Sequence, residues 1–183
     1  FGAMSEGGEF NLEDILRFNG GLFADADVVE LTVALAREML TAAGQTDADP
    51  GAALASGAAM DTWREMIRSQ GGDPDAPLAS AREHCEVKAE RSGVLSRLDA
   101  LAVGVASWRT GAGRARPGEA VSLGAGITLH AKPGDRVQAG QTLFTLHADE
   151  PQRFERALAA LKGSWEIADT FAGAGPLIID RIA

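Results

Sequence analysis

VKAERSGVLSRLDA at residues 87–100, GAGR at 111–114 and AKPGDRVQAGQTLFTLH at 131–147 are the segments from which the fold can be read. Residues 87–89 and 94–96 are short extended runs broken at Gly93. That pattern predicts a tight connection between two strands, with Gly93 holding the bend at positive φ. Asp99 is placed to cap a helix that runs through Leu101, Val103, Val105 and Trp108 and stops at Gly111. Pro133-Gly134-Asp135 is turn chemistry, because proline presets φ and glycine supplies a positive one. A hairpin turning at Pro133 and Gly134 is expected. Ala139-Gly140-Gln141 is a second turn, and residues 142–148 are strongly strand-like. The result is a compact mixed β unit with one helix inserted.

Several of these residues resemble the C-terminal region of the pyrimidine-nucleoside phosphorylases, thymidine phosphorylases included. The matching pieces are AERSGVL at 89–95, Asp99 with Gly104, GAGR at 111–114, and KPGD at 132–135 followed by Gly140 and His147. Upstream, ELTVALAREML at 30–40, GAAM at 57–60, and Met66 with QGG at 70–72 fit the same family in the same order. Single pieces are weak signals; their joint order is a strong one. The resemblance covers about residues 28–183.

The chain of 183 residues is long enough to bury a substantial core. Hydrophobic residues make up 45% and charged residues 23%, an ordinary globular composition. The net charge of -9 argues against nucleic-acid binding, which needs concentrated Lys and Arg. No run approaches the length of a membrane span, and no signal peptide is visible. The single cysteine, Cys85, excludes an internal disulfide and fits a reducing cytoplasm.

Residues 28–43 read as an amphipathic helix with Val28, Leu31, Leu35, Met39 and Ala42 near one face, Asp27 as cap and Gly44 as stop. Pro50 suits the first turn of a second helix. Gly57 should break it, and residues 59–70 continue as helix with Met60, Trp63, Met66 and Ile67 at helical spacing. Residues 73–79 read as a linker. After the β unit, Pro151 opens a helix through Phe154, Leu158 and Leu161 that Gly163 stops. Residues 165–168 are a short strand, and residues 177–182 close the chain as a strand or tail.

Residues 1–27 are atypical. The sequence opens with Phe1, so its true start is expected to be missing; Asn11 can cap a short helix over 12–18. FGAM at 1–4, Gly7-Gly8 and FNGGLF at 18–23 resemble a stretch of restriction-system adenine DNA methyltransferases. A second alignment pairs Asn11-Leu12-Glu13 with the segment preceding the phosphorylase helix. The first reading places a join near Asp27. The methyltransferase Asn-Pro-Pro-Tyr motif is absent, so methyl transfer is not expected.

Gly111-Ala112-Gly113-Arg114 invites a phosphate-loop reading. A P-loop needs a strand before it and Gly-Lys-Ser/Thr opening a helix after it; here a helix precedes, and Ala115-Arg116-Pro117 follows. A helix end and turn is expected instead. His84, His130 and His147 lack the spacing of a zinc site, and Cys85 has no activating partner nearby. All four are read as structural or surface residues. The hairpin of residues 132–143 also resembles biotinyl and lipoyl carrier domains, but the strand that should present the carrier lysine offers Arg97.

The fold class expected is α+β: a helical N-terminal part followed by a barrel-sandwich-like β unit with added helices. The domains expected are an atypical segment at 1–27, a helical part of the phosphorylase α/β domain at 28–79, and the phosphorylase C-terminal domain at 80–183. The resemblance implies the reaction of thymidine with phosphate to give thymine and 2-deoxyribose 1-phosphate, with phosphate as co-substrate and no cofactor. It implies a homodimer in which a Lys-x-Ser loop grips phosphate and an Arg, Ser and Lys group grips the pyrimidine. Both lie in the family's N-terminal half and neither has a counterpart here, so no catalytic, substrate-binding or metal residue carries over. The family's potassium-site glutamate would fall near Leu16, a mismatch. The expected reading is a cytoplasmic C-terminal portion whose partner is the missing N-terminal half, inactive alone, with neither nucleic acid nor membrane as partner. The alternatives are a biotinyl/lipoyl-like assembly module and a fusion with a methyltransferase fragment.

Overall fold

The structure, a computed structural model, describes residues 25–173 and 175–180. They divide into two compact units, residues 77–173 and residues 25–76 with 175–180.

In the larger unit six strands run in the order β1 (Glu83–Lys88), β2 (Gly93–Leu98), β3 (Gly126–Leu129), β4 (Arg136–Val137), β5 (Thr142–Ala148) and β6 (Trp165–Ala168). They make two three-stranded antiparallel sheets, β1-β5-β3 and β4-β2-β6. Every consecutive strand therefore crosses to the other sheet. This mixed α+β architecture has no closed barrel. It also corrects one expectation, since the turn at Pro133 and Gly134 closes no hairpin; that turn and the 88–93 connection each link strands of different sheets. Both are corners. Gly134, at φ 102°, does supply the expected positive φ, and Asp135 N–H donates to Lys132 O at 3.0 Å. The turn then docks on β2: Gly134 N–H donates to Leu95 O at 2.8 Å, and Leu95 N–H to Asp135 O at 2.9 Å. The backbone bonds that a hairpin partner would take are thus used across the corner.

Gly93 does not sit at positive φ. Its reason is close approach. A Cβ there would stand 2.6 Å from the Ala168 carbonyl oxygen and 2.7 Å from Ile167 Cγ2, atoms of the strand that β2 pairs with. Inside the unit Leu95, Leu143, Phe144, Leu146 and Leu161 are at most 1% exposed. The Phe144 ring meets Trp165 edge-on, with centroids 5.3 Å apart and planes at 73°.

Asp99 caps helix α4 (Ala100–Ser107) as expected, accepting from Ala102 N–H at 3.0 Å. The helix widens into a π-type turn, Trp108–Ala112, where Gly111 reverses to φ 113°. Not every predicted apolar position turns inward. Leu101 is 78% exposed, while Ala106 and Thr110 are buried. Helix α5 (Arg153–Leu161) packs on α4, and each helix buries a small residue, Ala106 and Ala157, in the shared core. Small size, not bulk, decides which face of α4 is covered.

The smaller unit holds α1 (Asp25–Ala42), α2 (Pro50–Ala55) and α3 (Ala58–Ser69). Asp27 lies within α1 and does not cap it. At the other end Gly44 N–H donates to Thr41 O at 3.0 Å and Gln45 N–H to Leu40 O at 2.8 Å, the paired bonds of a Schellman stop. Gly71 and Gly72 end α3 in the same way on Arg68 and Ile67. Asp49 caps α2 through Gly51 and Ala52 N–H. The apolar stripe expected to face inward on α1 is instead exposed. Val28, Leu31, Leu35 and Met39 are 53%, 39%, 57% and 73% exposed. Val29, Val33, Ala36 and Leu40, on another face, are the half-buried set. Met60 is the one fully buried residue among those described here. Residues 177–180 form no strand. The expectations placed on residues 1–24 and 181–183 lie outside the described residues.

Replacing Gly93 by valine is expected to cost on the order of 1–3 kcal/mol by overpacking the β2–β6 contact. Denaturant melts of the two proteins check this; coincident curves would remove the close-approach argument.

Candidate functional site

The segments singled out in the sequence fall at two places in the larger unit. One is the π-type turn. Gly111 follows a helix, and it presents its carbonyl: Ser122 N–H donates to Gly111 O at 3.0 Å. An anion loop would need N–H groups converging on a vacant point. Nearby, Glu119 Oε2 accepts from Ala115 and Arg116 N–H at 2.8 and 3.2 Å, and Trp108 Nε1–H donates to Arg114 O at 3.3 Å. The N–H groups of residues 115 and 116 are thus taken by a carboxylate, and the Arg114 and Arg116 side chains are exposed. The segment is a helix end and turn.

Beside it lies a tether with no local sequence signal. The Ser122 hydroxyl donates to Asp149 Oδ2, and Arg82 N–H donates to Asp149 Oδ1 at 3.3 Å. The hydroxyl bond, foremost, and then the Arg82 N–H hold the Asp149 carboxyl below the usual carboxylate range, against the cost of its desolvation. Arg153 Nε–H donates to Glu150 Oε2 at 3.0 Å, and Arg109 Nη1–H to Arg156 O at 2.9 Å. These bonds join residues 82, 111, 122 and 149, far apart in sequence, around the end of α4. Long-range partners of this kind leave no local signature.

The other place is the outer face of the β1-β5-β3 sheet. Cys85 and Val87 pack on the core, so His84, Glu86 and Lys88 face away from it. His84 stands opposite His147, and Thr128 opposite Thr145. Two diagonal bonds join the strands: Thr128 Oγ1 with His147 Nε2 at 2.9 Å, and His130 Nε2 with Thr145 Oγ1 at 2.7 Å. All three histidines of the chain belong to this sheet region, yet no group of three or more His, Cys, Asp or Glu among the described residues is placed to hold a metal. Lys88 pairs with Glu86 at 3.1 Å and is the main cause that lowers the Glu86 carboxyl. Cys85, half-buried opposite Leu146, stands among apolar neighbours. Lys132 belongs to the 132–135 turn, where its N–H donates to Asp135 Oδ2 at 2.9 Å. Arg97 donates to Gly163 O at 2.8 Å and lies 3.9 Å from Glu166. These bonds hold strands together; they do not converge on a substrate-sized space.

Residues 94–168 match the family described as the pyrimidine nucleoside phosphorylase C-terminal domain. The chain is 48% identical over 156 residues to a thymidine phosphorylase of Mycobacterium tuberculosis (strain ATCC 25618 / H37Rv), covering 85% of this chain and 36% of that protein. It is 34% identical over 167 residues to a pyrimidine-nucleoside phosphorylase of Staphylococcus aureus (strain USA300), covering 85% of this chain and 38% of that protein. The chain thus spans a little over a third of the length of these relatives. No described helix is long and apolar enough to cross a membrane.

A depressed carboxyl pKa contributes stability above the ordinary carboxylate value of about 4, and that contribution is lost as pH falls through the folded value. The melting-temperature gap between the wild type and Asp149→Asn is therefore expected to shrink between about pH 7 and about pH 3. A gap independent of pH would remove charge from the account of this tether.

Proposed function

We propose that this chain, which matches the pyrimidine nucleoside phosphorylase C-terminal domain over residues 94–168, is the C-terminal portion of a thymidine phosphorylase. The reaction would be thymidine plus phosphate to thymine and 2-deoxyribose 1-phosphate. The observation that carries this reading is the 48% identity over 156 residues. That match leaves 27 of the 183 residues outside it, so it contains α1 from Val28 onward and the β unit through β5.

Phosphorolysis needs phosphate and nucleoside held in line, with cationic and hydroxyl donors stabilising the departing base as charge develops on it. The groups described above do not supply such a set. The Gly111 turn offers a carbonyl, and the arginines around it are engaged with backbone or carboxylate oxygens or stand exposed. The chain's role is therefore structural within the enzyme, and the substrate-gripping residues come from the part of the relatives' length that it does not match. The homodimer, the cytoplasmic location and the division into a helical part at 28–79 and a C-terminal domain at 80–183 belong to this same reading. An assembly module of the biotinyl or lipoyl kind is not favoured. Arg97, at the position where a carrier presents lysine, is bonded to Gly163 and lies beside Glu166. The methyltransferase fusion rests on residues outside the described ones.

The purified chain is expected to release no thymine from thymidine and phosphate. Turnover at ordinary enzyme rates, about 1–1000 per second, would overturn this and direct mutagenesis to Arg114, Arg116, Lys132 and His130. Activity that returns on adding the remaining two-thirds of a phosphorylase in trans would support it.

A further inference from the structure

We draw no further inference here: the strongest candidate, the pair of histidines His84 and His147 opposed on the outer face of the β1-β5-β3 sheet, offers a metal only two imidazoles, with His147 already bonded to Thr128 and no third ligand placed beside them among the described residues.

Discussion

The contact between Phe144 and Trp165 is the point on which the larger unit depends. Phe144 lies on the central strand of one sheet, and Trp165 begins an edge strand of the other. Their rings meet edge to face, an arrangement worth about 0.5–1.5 kcal/mol beyond the area it buries. Because consecutive strands alternate between sheets, local hairpins contribute little to holding the sheets together. Cohesion has to come from side chains that meet across the interior: Leu95 from β2, Leu146 and Phe144 from β5, Leu161 from α5. Removing one such large residue typically costs several kcal/mol, a large fraction of a small domain's stability.

This alternation also explains which features were legible in the sequence. Caps and turns are local, and they were readable. Asp99 and Gly134 do what their residue types dictate within three or four neighbours, and Gly44 and Gly163 stand where their helices stop. Strand pairing is not local. Val87 and Val94 are close in sequence and look like two arms of a hairpin, but Val87 pairs with Phe144 and Val94 with Ala168. The bulge at residues 95–97 and the close approach at Gly93 follow from that distant partner. The same applies to Ser122 and Asp149, whose bond spans 27 positions.

Helix faces failed to be legible for a different reason. On α4 and α1, apolar residues occur on more than one side, so periodicity alone does not choose a face. On α4 the choice falls to Ala106, which is fully buried in the same core as Ala157 of the helix packed against it. On α1 the half-buried face is the one with Val33 and Ala36, not the one with Leu35 and Met39. Ranking positions by side-chain size picks the wrong stripe whenever close backbone packing rewards small residues.

Of the cations and imidazoles in the β unit, Arg97, Arg109, His130 and His147 bond across it. His130 and His147 each bond a threonine on the neighbouring strand, at cross-strand diagonals that side chains of this length can span. Arg97 ties β2 to the residues before β6, and Arg109 ties the π-type turn to α5. Stabilising developing charge requires donors that converge on one point, and the partners of these four groups are separate threonine hydroxyls and backbone carbonyls. The 48% identity to a thymidine phosphorylase and the absence of a convergent donor set among these described groups are then compatible.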